Sequence, residues 1–135
     1  MSTKLFAPLM TLEEARQKTP LALAFIGDTI WDLLIRRELL QGSGKAGALH
    51  RGAVARVNAG AQAKALNQIE PYLREEERQV LRRGENAHAR HAAPKNQNPV
   101  DYSRSSGLEA LLGYLYLSGQ MERIGELFDI VRAIN

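Results

Sequence analysis

The chain has 135 residues, about the size of one domain, and a formal net charge of +3. It has no cysteine, which excludes disulfides and thiolate metal sites such as cysteine-held zinc. No run approaches the roughly 18 apolar residues of a membrane span, and the N-terminus lacks the basic stretch and apolar core of a signal peptide. We therefore expect a cytoplasmic protein with one domain over 1–135 and no membrane partner.

Helix signals recur along the chain, whereas strand signals are nearly absent because β-branched and aromatic residues do not alternate with polar ones. A capping box at 11–14 predicts a short helix to about residue 18. Thr19 and Pro20 fit the N-cap and first residue of a long helix that ends near residue 40. The glycine-rich segment 41–45 lacks the full phosphate-loop pattern and is interpreted as a turn.

After this turn, one helix is predicted over roughly 47–67, with candidate buried positions at Leu49, Val54, Val57 and Leu66. Pro71 starts or bends the next segment, which continues to about Gly84. The stretch 91–99 resembles a loop, and a helix follows over about 102–117. A last amphipathic helix presents apolar residues at helical spacing: Met121, Ile124, Leu127, Phe128, Val131 and Ile134. The predicted fold class is all-α, with helices packed on helices.

Two of these helices are apolar runs that each carry an isolated carboxylate. Asp28 lies within 21–34 and Glu109 within 107–117. A carboxylate on an apolar face is costly to bury unless something pairs with it. A shared divalent cation is the simplest partner for two such groups, and Mg²⁺ suits carboxylate oxygens. The alternative is that each carboxylate pairs with a core arginine or caps nearby backbone.

Glycines stand beside both carboxylates. Gly27 precedes Asp28, and Gly113 lies one turn after Glu109. Because glycine inside a helix costs about 1 kcal/mol against alanine, these positions indicate close approach of another helix. If the two helices cross there, both carboxylates can reach a common ion.

The remaining sequence signals are less specific. Trp31, Tyr114 and Tyr116 lie on apolar helices and are expected in the core rather than against nucleic-acid bases. A basic segment over 78–95 combines one acid with the cations and histidines Arg78, Arg82, Arg83, His88, Arg90, His91 and Lys95. It is either a solvated helix end or a surface for a polyanion.

Several segments between about residues 21 and 117 stand in a specific order and spacing: Leu21–Asp28, Ile35–Arg37, Leu49–His50, Leu81–Gly84, Asn86–Ala87, Pro94–Asn96 and Glu109–Leu115. Together they resemble the ribonuclease III catalytic domain. More closely, the chain is similar to the Mini-III ribonucleases, the compact branch without a double-stranded-RNA-binding domain. The expected fold is therefore a ribonuclease III-like helical endonuclease domain.

This resemblance implies a homodimeric, Mg²⁺-dependent endonuclease that cuts double-stranded RNA, typically the large-subunit ribosomal RNA precursor. It implies that Asp28 is the catalytic carboxylate and that Glu109 is the second metal ligand. Ribonuclease III proper has two further acids at the positions of Ala24 and Ser106, and the Mini-III branch also lacks them. We expect weaker metal binding for that reason. Asp32, one turn after Asp28, is expected to orient a water molecule at the metal.

The resemblance also implies the contacts outside the carboxylate pair. It assigns RNA binding to the basic segment, and the residues expected to contact RNA are His50, Arg51, Lys64, Arg82, Arg83, Asn86 and Lys95. Phe25 occupies a position of dimer packing in the wider family, with a place in the protomer's own core as the alternative. Relatives tend to carry the equivalent of Arg104 one position earlier, which leaves the role of Arg104 open.

Two other functions stay open from the sequence. One is a catalytically silent RNA-binding or ribosome-associated protein on the same fold. The other is a helical scaffold with no RNA role, which leaves the two carboxylates and the basic segment unexplained. A cleavage assay on duplex RNA with Mg²⁺ discriminates among the three.

Overall fold

The computed structural model describes residues 7–42, 44–87 and 95–134, and these ranges contain helices but no strand. The predicted all-α fold is therefore confirmed. The helices are α1 (Leu12–Gln17), α2 (Pro20–Leu39), α3 (Ala46–Val57), α4 (Ala59–Ile69), α5 (Glu75–Asn86), α6 (Pro99–Leu117) and α7 (Met121–Ile134), with a 3-10 turn at Glu70–Tyr72. Within these ranges, none of the helices has both the length and the apolar character that crossing a bilayer requires.

The first two helices begin where their local sequence predicts. Thr11 and Glu14 form a complete capping box: the amide of Glu14 donates to the Thr11 hydroxyl at 3.1 Å, and the amide of Thr11 donates to Glu14 Oε1 at 3.0 Å. The Thr19 hydroxyl accepts from the amide of Ala22 at 3.1 Å, and Pro20 is the first residue of α2. Both signals act over three residues, so the surrounding fold does not alter them.

The prediction of a single helix over 47–67 is wrong, because Asn58 divides this segment into two helices, α3 and α4. The backbone of Asn58 is extended, with ψ at 165°. Its side-chain amide donates to the carbonyls of Val54 and Ala55 at the end of α3, while Oδ1 accepts from the amide of Ala61 at 2.9 Å and starts α4. One side chain thus closes one helix and opens the next.

This break changes which apolar residues are buried. Leu66 is fully buried, as predicted, and Leu49 and Val57 are half-buried. Val54 is 56% exposed, so its predicted burial is wrong. The physical reason is that α3 and α4 do not share a continuous face, and α3 buries only Ala53.

Helix α6 begins three residues earlier than predicted and forms the centre of the core. Asn98 is its N-cap: Oδ1 accepts from the amides of Val100 and Asp101 at 2.9 and 3.1 Å. From Ser105 to Leu115, every residue except Glu109 is buried. α6 packs against α1, α2, α4, α5 and α7, so side chains along it are held from several directions.

Aromatic residues and one ion pair complete the core. Trp31 is 4% exposed, stacks edge-to-face on Phe128 with ring centroids 5.9 Å apart, and donates Nε1–H to the carbonyl of Arg56 at 2.9 Å. Tyr114 is also buried, which confirms that these aromatics are core residues; Tyr116 is half-buried. Arg123 of α7 binds the fully buried Glu77 of α5 with two hydrogen bonds of 2.8 and 2.9 Å.

Candidate active site

Helices α2 and α6 cross in direct backbone contact at the two glycines. A Cβ atom built on Gly27 would overlap the carbonyl oxygen of Glu109, and one built on Gly113 would overlap the carbonyl oxygen of Leu23. Any side chain at either position would push the helices apart. The close approach that the glycines predict is therefore confirmed, and it brings together the two helices that carry Asp28 and Glu109.

Asp28 and Glu109 line the same open pocket, of about 780 Å³. The pKa of Glu109 is raised to about 7, mainly by burial and then by hydrogen bonding with Asp28 and the charge of that group, while the hydrogen bond from the Gln62 amide lowers it. A negative charge this close to Glu109 disfavours its ionised form. A cation between them would relieve their repulsion.

The two carboxylates differ in exposure, which corrects the expectation that both are buried. Glu109 is half-buried, whereas Asp28 is exposed. Asp28 lines the pocket from α2 but is not part of the core. The site is therefore identified by the proximity of Asp28 to Glu109, and not by burial of the Asp28 carboxylate.

Gln62 is a site residue that the sequence analysis missed. Its side chain is 2% exposed and its Nε2 donates to Glu109 Oε2 at 3.2 Å. The available signal was a polar side chain on the buried face of α4, beside Ala63, Ala65 and Leu66. The prediction of one continuous helix over 47–67 did not say which helix this face packs against, so Gln62 was not connected with Glu109.

The rest of the pocket wall is mostly polar or small. Besides the carboxylates and Gln62, its polar lining residues are Thr29, Asn58, Asn96, Gln97, Asn98, Asp101, Tyr102, Ser105 and Ser106. Ser105 and Ser106 donate their hydroxyls to the carbonyl of Tyr102, each at 2.9 Å. These two serines are therefore engaged within α6 itself.

The donor set at the pocket fits a hard divalent cation that needs few protein ligands. Among the described residues, no group of three or more histidine, aspartate or glutamate side chains could hold a metal. Two adjacent carboxylates remain, and Mg²⁺ is the ion that commonly uses one or two carboxylates and completes its coordination with water and substrate phosphate. Carboxylate oxygens and the absence of thiolates in this chain agree with that chemistry.

Asp32 and the residues predicted on α3 and α4 lie away from the carboxylate pair. Asp32 does not line the pocket and accepts from Arg36 Nε at 2.9 Å. His50 and Arg51 are exposed on α3. Lys64 is exposed on α4 and lines a second pocket of about 590 Å³. The roles predicted for all four remain predictions.

The residues predicted on α5 and beyond occupy three different environments. Arg82 is exposed on α5, and Lys95 is exposed just before α6. Asn86 lines a shallow pocket with the start of α6. Arg83 donates to the backbone carbonyls of Arg16 and Lys18 at 2.5 and 2.9 Å, so its guanidinium caps the end of α1. His88, Arg90, His91 and Pro94 lie outside the described residues.

The structure excludes one of the alternatives for Phe25 and shows the partners of Arg104. Phe25 is 84% exposed, which contradicts the alternative that it is a core aromatic of the protomer. Arg104 joins three elements: it contacts Glu85 at 3.0 Å, Glu70 at 2.7 Å and Asn67 at 2.6 Å, and lowers the pKa of Glu70. Its role, which the sequence left open, is to tie α6 to α5 and to the end of α4.

Comparison with known proteins agrees with this fold. The Ribonuclease III domain matches residues 21–120. A Mini-ribonuclease 3 from Symbiobacterium thermophilum is 47% identical over 82% of this chain and 85% of the relative. One from Brevibacillus brevis is 44% identical over 85% of this chain and 86% of the relative.

A solved structure supports the same assignment. The crystal structure of a protein from Fusobacterium nucleatum aligns with a TM-score of 0.78 at 32% identity, covering 87% of this chain and 94% of that one. The region 21–120 that the Ribonuclease III domain matches includes both Asp28 and Glu109. The chain therefore belongs to the ribonuclease III family, in its Mini-III branch, and is an endoribonuclease.

Proposed function

We propose that this chain hydrolyses double-stranded RNA with Mg²⁺ held by Asp28 and Glu109. The observation that carries the proposal is the convergence of these two carboxylates at the crossing of α2 and α6, in a pocket open to solvent. The effect of Asp28 in raising the pKa of Glu109 supports a cation held between the two carboxylates. When bound, such an ion supplies Lewis acidity to the scissile phosphodiester and to a water nucleophile.

The chain's own residues divide the remaining tasks. Asp28 and Glu109 hold the ion. Asp32, one turn further along α2 and paired with Arg36 outside the pocket lining, orients water from this outer position. The polar pocket wall accommodates the sugar-phosphate backbone, because duplex RNA is recognised mainly through phosphates and 2′-hydroxyls. The serine and asparagine side chains of that wall are suitable hydrogen-bonding groups for both.

We further propose that the active form is a homodimer through the α2 surface that includes Phe25. An aromatic ring that is 84% exposed, one turn after the exposed Leu21, is a suitable centre for an apolar contact. Two copies related by a two-fold axis would present one site to each strand of a duplex.

The substrate we propose is the large-subunit ribosomal RNA precursor, processed in the cytoplasm. This assignment comes from the family, because the relatives named Mini-ribonuclease 3 match most of the chain. The contacts to the RNA backbone come from the exposed cations Arg51, Lys64, Arg82 and Lys95, together with His50, Arg83 and Asn86.

Asp28→Asn tests the proposed site. This change removes the charge and keeps the shape, so we expect cleavage of duplex RNA to be lost while the circular dichroism spectrum and melting temperature stay close to wild type. Asp129→Asn is a matched control, since Asp129 is an exposed acid on α7 paired with Arg132 at 3.5 Å. Near wild-type cleavage by the Asp28 variant would refute the site assignment.

A further inference from the structure

Gln62 is a buried amide whose described partner is a carboxylate of the proposed active site. Its side chain is 2% exposed and lies on the face of α4 that also buries Ala65 and Leu66. Burying an amide without a hydrogen bond would cost free energy. Its bond of 3.2 Å from Nε2 to Glu109 Oε2 offsets that cost and links α4 to α6.

The helix that carries Gln62 is fixed independently of this bond. Asn58 starts α4 through its side chain, and the carbonyl of Asn58 accepts from the amide of Gln62 at 3.1 Å. Leu66 and Ile69 anchor the same helix in the core, with 0% and 3% exposure. The Gln62 amide is therefore presented to Glu109 from a rigid element rather than from a loop.

We propose that Gln62 is a positioning residue that holds the Glu109 carboxylate in the orientation in which it and Asp28 bind one divalent ion. A hydrogen bond on Oε2 restricts rotation of the carboxylate, so less orientational freedom is lost when the ion binds. Groups that orient metal-binding carboxylates in this way typically change metal affinity or activity by about 10–100-fold when removed. The inference rests on the proposed function, because it requires an ion at Asp28 and Glu109.

Two variants and one matched control isolate this role. Gln62→Met keeps the length and approximate volume of the side chain but removes the donor. Gln62→Asn keeps an amide but withdraws it by one methylene from Glu109. Gln68→Met is the control, because Gln68 also lies on α4, its Oε1 is buried with no hydrogen-bond partner among the described residues, and it does not line the site pocket.

The first readout is the binding of Mn²⁺ to metal-free protein. Electron paramagnetic resonance measures the concentration of Mn²⁺ that stays free. We expect both Gln62 variants to bind Mn²⁺ about tenfold more weakly than wild type. Gln68→Met should bind like wild type. The second readout is the Mg²⁺ dependence of cleavage: the half-saturating concentration should rise about tenfold, with a smaller change in rate at saturating Mg²⁺. A purely structural role of Gln62 would not move the metal affinity selectively.

The outcomes separate this inference from the proposed function. Equal Mn²⁺ affinity in wild type and in the folded Gln62 variants would overturn the positioning role and leave the proposed site intact. Wild-type protein that binds Mn²⁺ no better than Asp28→Asn would overturn the proposed metal site and the inference with it. If Gln62→Met does not fold, the polar Gln62→Asn variant decides the question by the same measurement.

Discussion

Gly27 on α2 packs directly against the carbonyl group of Glu109 on α6, so the absence of one methyl group sets the separation of the two carboxylate-bearing helices. Asp28 is the next residue along α2. The geometry of the site therefore depends on backbone packing as much as on the carboxylates themselves.

Gly27→Ala should destabilise the protein and abolish cleavage together. The added Cβ would overlap backbone rather than a movable side chain, and we expect a loss of about 3 kcal/mol or more in the free energy of unfolding. Gly125→Ala is the matched control: apart from the neighbouring backbone of α7 itself, no atom of the described residues lies within 4 Å of its added Cβ, so the helix should gain up to about 1 kcal/mol. Urea unfolding of both variants checks the pair, and equal stabilities would contradict the tight crossing.

The stability of the metal-free protein should fall as pH rises through the range set by Glu109. Its pKa is raised from 4.5 to about 7, so in this window the folded state holds a proton that the unfolded state has released. The resulting difference in bound protons makes the free energy of unfolding decrease with increasing pH. Glu109→Gln should remove this slope and stabilise the metal-free protein by up to about 3 kcal/mol near pH 8.

Urea unfolding in the presence of a chelator, at several pH values, measures this slope. Wild type and Glu109→Gln should have similar stability below about pH 4.5, where Glu109 is protonated in both states. Asp129→Asn again controls for loss of one acidic residue. Parallel stability curves for wild type and Glu109→Gln would show that the pKa of Glu109 is not raised in the folded protein.

Phe25→Ala should weaken self-association with little effect on the protomer. Because the ring is 84% exposed in the protomer, its truncation leaves no internal cavity. An aromatic anchor at an interface typically contributes about 2 kcal/mol or more, which corresponds to roughly a 30-fold change in the dimer dissociation constant. Sedimentation equilibrium measures this constant, with Tyr72→Ala as the control because that ring is also exposed, at 60%. A wild-type monomer at micromolar concentration would exclude the proposed dimer.

Neutralising Arg82 and Lys95 together should weaken binding similarly for duplexes of different sequence. Both side chains are exposed, and the loss of two phosphate contacts should reduce the slope of log affinity against log salt by about 2. Cleavage at saturating RNA should change less, because phosphate contacts position the substrate. Titrations of one duplex at several salt concentrations measure the slope, and an unchanged slope would move the RNA surface to Arg51 and Lys64.

Arg83 is tested separately from that pair. Its guanidinium donates to the carbonyls of Arg16 and Lys18 at the end of α1. Arg83→Gln should therefore lower the stability of the free protein. A change in RNA affinity in this variant would combine a lost RNA contact with this loss of stability. The melting temperature of the free protein distinguishes Arg83→Gln from the Arg82 and Lys95 variants.

Local sequence predicted those features that depend on residues close together in the chain. Thr11, Thr19 and Pro20 begin their helices where the cap patterns indicate, because cap hydrogen bonds span only a few residues. Asn58 carried an equally local signal that the apolar periodicity of 47–67 concealed. Periodicity reports which residues can share a face, and it does not report an interruption within that face.

The sequence by itself determined the all-α class, the two carboxylates Asp28 and Glu109, and the glycines that let their helices meet, since composition, spacing and glycine placement are properties of the chain. Only the tertiary structure decided that Asp28 is exposed, that Gln62 holds Glu109, and that Arg83 and Arg104 are engaged by distant segments. The hydrogen bonds of Gln62, Arg83 and Arg104 join residues 19 to 67 positions apart, and the exposure of Asp28 depends on how the helices pack around it. Local pattern carries no information about such contacts until the helices have packed.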